Sequence, residues 1–190
     1  VWFVGVPIGT ARDITLRALD VLASAQVLAA EDSRSLRKLM DIHGVPLEGR
    51  RIEVLHDHSS ADTASRLVEK ARDHSVAYAS EAGMPGIADP GFELARAARA
   101  AGVPVTCAPG ASAVTTALAV SGLATDAFHF AGFLPNTRQA RKKALTALRA
   151  VPATLAFYHS PKRLRAMLED AREVLGPDRP GADFREFTQR

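Results

Sequence analysis

The stretch Ser80–Gly91 (SEAGMPGIADPG) holds three glycines and two prolines within one short connection. It follows the apolar run Val76–Ala79 and precedes a helix-like segment, Phe92–Ala101. Glycine permits positive φ and close backbone approach, whereas proline fixes its own φ. The alternation predicts a stiff turn with few side chains, suited to a nucleoside-like ligand. Glu81 could bind ribose hydroxyls or lie near a cationic centre, and Asp89 is a candidate cap for the next helix. A rigid connection that binds nothing is the alternative.

Strand-like and helix-like patterns alternate on both sides of this stretch. The strand-like runs are Val1–Val4, Val27–Ala30, Ile52–Leu55, Val76–Ala79, Val103–Cys107, Phe128–Phe130 and Thr154–Tyr158. The helix-like segments are Ile14–Ala25, Ser35–Ile42, Asp62–Asp73, Phe92–Ala101, Ser112–Ser121, Arg138–Ala150 and Pro161–Leu175. We expect Asp13 to cap the first helix and Ser33 or Ser35 the second. The alternation predicts an α/β fold with a mostly parallel sheet flanked by helices.

The pattern also suggests two α/β domains. The first would cover residues 1–121 and carry the ligand-binding loops. The second would cover 122–190 and looks incomplete, because its strand pattern stops after two strands. Ligand-binding loops of open α/β sheets gather at the carboxyl ends of the strands.

Composition narrows the class of protein. The 47% hydrophobic content of the 190 residues is typical of a globular chain and argues against disorder. No apolar run is long enough to span a bilayer. The single cysteine, Cys107, cannot form an internal disulfide; we expect it to be a small buried residue, which fits a reducing, cytoplasmic compartment.

Charge is unevenly distributed along the chain. Residues 1–131 carry 12 Lys and Arg against 15 Asp and Glu, whereas residues 132–190 carry 12 against 6. A basic second half suits an anionic partner such as RNA, although an arginine-rich composition alone would look the same. The candidate RNA contacts are Arg138, Arg141, Lys142 and Lys143, which lie partly on one helical face; a solvated helix face is the alternative.

Three further short segments that contain glycine or proline lie at predicted strand ends: Val6–Gly9, Pro109–Ala113 and Phe133–Pro135. The second turns into a helix whose first N–H groups, with the Ser112 hydroxyl, would face a ligand. No G-x-G-x-x-G motif and no Walker loop is present, because Gly5 and Gly9 have the wrong spacing. The ligand is therefore not expected to be held by its phosphates.

Two clusters of polar residues are candidates for catalytic or ligand-binding roles. Glu31, Asp32 and Arg34 follow the second strand, where a carboxylate could accept a proton and the arginine could hold a phosphate. A helix-capping turn with a surface ion pair is the alternative for this cluster. His56-Asp57-His58 offers three possible metal ligands, but no fourth ligand is apparent. A contact to RNA, a catalytic contact and a solvated strand end are the other interpretations.

Taken together and in this order, the loops resemble the tetrapyrrole methylase superfamily, whose members use S-adenosylmethionine. Within it they are most similar to the enzymes that methylate a cytidine 2′-hydroxyl in small-subunit ribosomal RNA. The matching segments are Pro7–Gly9, Asp13–Leu19, Ala30–Arg34, His56–His58, Ala82–Gly83, Pro85–Ile87, Asp89–Gly91, Pro109–Ala113, Gly132–Pro135, Phe157–Tyr158 and Ser160–Pro161. Glu81 stands where the family usually has Asp, and Met84 where Thr is common.

The resemblance implies two α/β domains with the methyl donor between them, and a homodimer. No metal is expected, because His56-Asp57-His58 lacks a fourth ligand. It assigns donor contacts to Pro7, Glu81, Gly83, Met84, Pro85, Gly86, Ile87, Ser112, Ala113, Phe133 and Leu134. It leaves the acceptor side to Glu31, Asp32 and Arg34. A methyltransferase acting on small tetrapyrroles and a catalytically silent RNA-binding module remain open as alternatives.

Overall fold

The computed structural model describes residues 1–56, 61–186 and 188. Its strands are β1 (Trp2–Val4), β2 (Val27–Ala30), β3 (Ile52–Val54), β4 (Val76–Ala79), β5 (Thr106–Ala108), β6 (Phe128–Phe133) and β7 (Thr154–Tyr158). Its α-helices are α1 (Leu16–Ser24), α2 (Ser33–Ile42), α3 (Ala61–Lys70), α4 (Phe92–Ala100), α5 (Ala113–Val120), α6 (Arg138–Leu148) and α7 (Leu164–Leu175). Single 3-10 turns cover Ala11–Asp13 and Pro161–Arg163. The predicted alternation of strands and helices is confirmed.

Contacts divide the chain into two compact units. The first consists mainly of Val1–Ala113 and the second of Val114–Arg185. The division lies at the start of α5, whereas the sequence pattern placed it between residues 121 and 122.

The first unit is built on a five-stranded sheet in the order β3-β2-β4-β1-β5. Every pairing in it is parallel; Trp2, for example, lies opposite Ala77 of β4 and Thr106 of β5. Parallel neighbours need crossover connections, which the helices supply. All five carboxyl ends therefore lie along the same edge of the sheet.

Both faces of this sheet are covered. Successive strand residues point to opposite sides, so Val4 packs with Leu22 and Met40 from α1 and α2. Phe3 packs on the other side with Leu67 and Leu94, from α3 and α4. All four residues of β4 are buried, as expected for a central strand of a parallel sheet.

The helix starts differ from those expected. Thr15, not Asp13, caps α1: its hydroxyl oxygen accepts the Ala18 N–H at 3.1 Å, because Asp13 is already part of the preceding 3-10 turn. Asp32 caps α2 in place of Ser33 or Ser35. In each case a polar side chain with extended backbone lay one or two residues from the predicted position.

Two other expectations about the first unit are wrong. The cap residue of α4 is Gly91, with φ 137°, rather than Asp89. Cys107 is exposed rather than buried, because β5 is an edge strand and its next residue, Ala108, is the one that faces the core.

The second unit contains the parallel pair β6–β7, with helices α6 and α7 packed together. β6 is longer than predicted: it extends to Phe133 and pairs again at Phe133–Tyr158 after an irregularity. Among the described residues, no helix of either unit is long and apolar enough to cross a bilayer.

Candidate active site

The first unit brings four of its connections to one edge of the sheet. They follow β1, β2, β4 and β5, which are consecutive in the sheet as β2-β4-β1-β5. Helix α1, which follows β1, and helix α4, which follows β4, cover opposite faces of the sheet. Neighbouring strands whose connections leave on opposite faces open a crevice at their carboxyl ends, and open α/β sheets bind ligands there.

The turns after β1 and β5 touch through bare backbone. The Gly5 N–H donates to Ala108 O at 2.9 Å. A β-carbon on Gly5 would lie 2.6 Å from Gly110 N and 2.7 Å from Met84 Sδ. No side chain fits at that point, so the two turns lie as close together as peptide groups allow. Gly5 is not among the predicted site residues, because the spacing of Gly5 and Gly9 does not match a nucleotide-binding motif.

The turn after β4 is tied to the turn after β1. Val6 and Gly83 form an antiparallel bridge, with N–H to oxygen distances of 2.9 and 3.1 Å. Gly83 has φ 75°, which favours glycine. Its missing β-carbon would make only ordinary contacts, 3.4 Å from Ile8 Cγ2, so this glycine is required by its backbone angle rather than by lack of space.

Internal bonds stiffen the rest of the glycine- and proline-rich stretch. The Gly86 N–H donates to Pro90 O at 3.1 Å, and the Ile87 N–H donates to Met84 O at 3.3 Å. The buried Ser80 hydroxyl donates to Ala82 O at 3.2 Å. The stretch is thus a closed turn, as its composition predicted.

Glu31 joins the ends of β2 and β4. Its carboxylate Oε2 accepts the Glu81 N–H at 3.0 Å, and its own N–H donates to Ala79 O at 3.0 Å. A carboxylate that accepts a backbone N–H in this way fixes the position of the loop it binds. The structure therefore gives Glu31 a contact to the turn after β4 that the sequence did not reveal.

Asp32 has the capping role that the sequence left open. Its side chain accepts the backbone N–H groups of Arg34 at 2.7 Å and Ser35 at 3.4 Å. The Arg34 N–H bond is the main reason that the pKa of Asp32 lies below its ordinary value. The Arg34 guanidinium lies 3.4 Å from the same carboxylate but its side chain is 91% exposed. A lowered pKa makes Asp32 a weaker proton acceptor.

A hollow of about 240 Å³ opens beside these turns, within the first unit. Its walls come from the turn after β1, from α2 and from the start of the turn after β4. They include Val6, Pro7, Gly9, Ala11, Ser35, Leu36, Lys38, Leu39, Ile42, Ser80 and Glu81. Two of the predicted donor-site residues, Pro7 and Glu81, are among them. The α2 residues of this wall were missed from the sequence because they lie around thirty residues away from Pro7.

The other predicted donor residues fall in both units. Pro85 is buried, Met84 is half-buried, and Gly86 and Ile87 are exposed. Ser112 and Ala113 are half-buried at the start of α5. Phe133 and Leu134 belong to the second unit, where the exposed Phe133 ring lies 5.6 Å from that of Tyr158. Their role as donor contacts stays a prediction.

The predicted RNA contacts on α6 are largely occupied by partners on α7. The Arg141 guanidinium is buried, and its Nη2 lies 2.6 Å from Oδ2 of the buried Asp170. Arg138 also reaches Asp170, at 3.1 Å, and Lys142 pairs with Glu173. The interpretation of Arg141 as a phosphate contact therefore conflicts with its burial.

Asp170 is held ionised by this arrangement. Burial by itself raises the pKa of Asp170, but hydrogen bonds from Arg141 and Arg138 outweigh it, so the pKa lies below its ordinary value. The Lys142 hydrogen bond likewise lowers the pKa of Glu173. Of the four predicted contacts, only Lys143 is exposed without a partner among the described residues.

The metal interpretation gains no support. Asp57 and His58 lie outside the described residues, whereas His56 is described. Within the described part of the chain, no group of three or more His, Cys, Asp or Glu side chains could hold a metal ion.

Comparison with known proteins identifies relatives of the whole chain. The family described as Tetrapyrrole (Corrin/Porphyrin) Methylases matches residues 1–190. A Mesorhizobium japonicum protein named "Ribosomal RNA small subunit methyltransferase I" is 44% identical over 99% of this chain and 63% of its own length. The Escherichia coli O157:H7 protein of that name is 42% identical over 99% of this chain and 65% of its own length. The chain thus spans less than two thirds of these relatives.

Solved structures share the fold at lower identity. The methyltransferase CobJ is 22% identical, with a TM-score of 0.65 over 93% of this chain and 78% of its own. Diphthine synthase is 21% identical, with a TM-score of 0.63 over 83% and 64% of the two chains. The family match along the whole chain, the relatives above 40% identity and the shared fold agree: this chain belongs to the tetrapyrrole methylase family.

Proposed function

We propose that this protein transfers a methyl group from S-adenosylmethionine to the ribose 2′-hydroxyl of a cytidine in small-subunit ribosomal RNA. The observation that carries the proposal is identity of 42–44% over 99% of the chain to proteins named "Ribosomal RNA small subunit methyltransferase I". The packed turns at the carboxyl edge of the first unit support it, because they provide the bare-backbone surface that such a donor needs.

The residues present fit this donor. Glu81 places an exposed carboxylate beside the glycine turns, which suits a ligand that carries sulfonium and ammonium charges. Gly5 and Gly110 let the turns after β1 and β5 pack backbone against backbone, and Gly83 adopts the positive φ that the turn after β4 requires. When bound, S-adenosylmethionine supplies an electrophilic methyl group on a positively charged sulfur.

The protein's own contribution would be mainly alignment. Holding two reactants in the correct geometry removes much of the barrier of a displacement reaction. The Val6–Gly83 bridge and the Glu31–Glu81 bond fix the turns on which the donor would rest. Asp32 is engaged in capping α2, which leaves it a poor candidate for the general base.

Assembly and location belong to the same proposal. We infer a homodimer that acts in the cytoplasm on ribosomal RNA or the small ribosomal subunit. Ile87 and Phe92, which are 46% and 66% exposed beside the donor turn, support the dimer, since exposed apolar groups are often covered by a partner.

A tetrapyrrole substrate is the second candidate. The family description and the likeness to CobJ favour it. The structural likeness is at 22% identity, however, whereas the relatives named for ribosomal RNA are about twice as similar over more of the chain. Sequence similarity therefore favours ribosomal RNA over a tetrapyrrole as the substrate.

The test is transfer of radiolabelled methyl from S-adenosylmethionine to isolated small ribosomal subunits, followed by nuclease digestion and nucleoside analysis. We expect 2′-O-methylcytidine as the labelled product. Label on a precorrin-type tetrapyrrole, with none on RNA, would favour the second candidate. Failure of the full-length protein to bind the donor in calorimetry would leave a catalytically silent RNA-binding module.

A further inference from the structure

The hollow beside the donor turns has a mixed lining that the donor assignment does not explain. One wall is apolar and includes Leu39 and Ile42 of α2, the latter 56% exposed. The polar lining residues are Ser35 and Lys38, on the same helix, and Glu81 from the turn after β4. Apolar walls with a few polar groups are typical of sites that bind small organic ligands.

Its volume distinguishes between candidate ligands. At about 240 Å³ it is smaller than the roughly 300–1,000 Å³ of clefts that enclose a drug-sized molecule. The whole methyl donor is of that larger class. One base with its ribose is a closer match, and the aliphatic side chains of Leu39 and Ile42 offer apolar surface on which the face of an unstacked base can pack.

Two cations without an ion-pair partner among the described residues lie on the segments that form this hollow. Lys38 lines it and makes no ion pair with any described residue. Arg12 follows the lining residue Ala11, whose carbonyl accepts the Nε2–H of His43 at 2.8 Å, so the 3-10 turn is fastened to the end of α2. Arg12 likewise has no ion-pair partner in the described part of the chain. Free cations on a fixed surface are available to phosphate, unlike those of α6, which are paired with Asp170 and Glu173.

We propose that this hollow receives the acceptor: one unstacked nucleotide of single-stranded RNA, with its flanking phosphates on Lys38 and Arg12. The inference rests on the proposed methyltransferase function. Pro7 and Glu81 line the hollow and also belong to the predicted donor site, so a ribose seated there would lie beside the donor turns. RNA would thus approach the first unit along α2, rather than only α6 as the sequence suggested.

The phosphate contacts are tested with a fluorescein-labelled, cytidine-containing RNA decamer and the full-length protein, by anisotropy over a series of salt concentrations. Lys38→Gln and Arg12→Gln should each weaken binding and lower the slope of log K against log salt by about 0.7. Lys38→Arg should retain both the affinity for RNA and the salt dependence of the wild type. The matched control is Arg99→Gln, which removes an exposed cation from α4 on the opposite face of the sheet. If Lys38→Gln and Arg12→Gln lost no more RNA affinity than Arg99→Gln, the assignment of phosphate contacts to Lys38 and Arg12 would be overturned.

The hollow itself is tested by filling it. Ser35→Tyr should abolish RNA methylation, while the calorimetric Kd for S-adenosylmethionine is unchanged. Loss of donor binding would overturn the inference by assigning the hollow to the donor, and full RNA methylation by this variant would overturn it as well. If the wild-type protein neither binds the donor nor methylates RNA, the proposed function itself fails, which is a distinct result.

Discussion

Gly5 and Gly110 lie backbone against backbone at the carboxyl edge of the sheet. A β-carbon on Gly5 would lie 2.6 Å from Gly110 N, and one on Gly110 would lie 2.9 Å from the Gly5 carbonyl carbon. Neither residue can carry a side chain without separating the turns after β1 and β5. Rotation of Met84 could relieve its own contact with a Gly5 β-carbon, but the Gly5–Gly110 contact is between backbone atoms and cannot be relieved by rotating a side chain.

We therefore expect Gly5→Ala to reduce the free energy of unfolding by about 1–3 kcal/mol and to weaken donor binding. Urea denaturation and calorimetry with S-adenosylmethionine measure the two effects. Gly181→Ala is the control, since a β-carbon there would meet nothing within 4 Å. Wild-type affinity in Gly5→Ala would mean that the close contact does not shape the donor site.

Two variants of Glu31 distinguish a role in positioning the turn after β4 from a role in proton transfer. Glu31→Gln keeps an oxygen that can accept the Glu81 N–H, whereas Glu31→Ala removes it. If Glu31 positions the donor turn, the glutamine variant retains kcat and its pH profile, while the alanine variant shows a raised KM for the donor. Steady-state methylation of RNA over a range of pH distinguishes the roles, because loss of kcat in both variants would identify Glu31 as the base.

The buried pair on α6 and α7 should dominate the stability of the second unit. Arg141→Met leaves Asp170 with one arginine partner instead of two, and we expect a loss of about 3 kcal/mol. Lys142→Met removes only an exposed pair and should change stability much less. Both are measured by urea denaturation followed by circular dichroism. Equal effects would show that burial of the pair does not matter.

Low pH should weaken the contact of Asp170 with Arg141 and Arg138. The pKa of Asp170 is lower in the folded protein than its ordinary value of about 3.9, so the folded state favours the ionised carboxylate. Its contribution is fully present above that ordinary value and is lost as pH falls through the lower, folded pKa. Denaturation midpoints measured from pH 7 down to pH 3 should therefore fall less steeply for Asp170→Asn than for the wild type. Parallel curves would contradict the assignment.

Much of the fold was predictable because its signals are local. Each strand of the first unit is a short apolar run, and each is followed by turn residues and a helical period. The closed turn from Ser80 to Gly91 was equally local, since its glycines and prolines dictate its backbone angles. The cap error at Asp13 arose because several polar residues near a helix start can serve, and Thr15 is the one in position. The error at Asp89 has another cause: the backbone has φ 137° at the start of α4, which favours Gly91.

What could not be predicted depends on residues far apart in the chain. In the sequence Arg141 cannot be told from an exposed cation, because its partner Asp170 lies on the next helix, 29 residues further along the chain. Lys38 was not considered as a site residue, because its nearness to Pro7 and Glu81 follows only from the strand order. Glu31 was selected for its carboxylate, but its bond to Glu81 spans fifty positions and leaves no pattern in the sequence.

The strand order has a consequence for biosynthesis. β1 is made before its two neighbours in the sheet, which contain Ala77 and Thr106 opposite Trp2. In a nascent chain β1 therefore stays unpaired on both sides until β4 is translated, and unpaired on one side until β5, about a hundred residues later than β1, is translated. Contacts of such long sequence separation form slowly. The ribosome, the proposed target of the finished enzyme, would thus release most of the first unit before Pro7, Gly83 and Gly110 can meet.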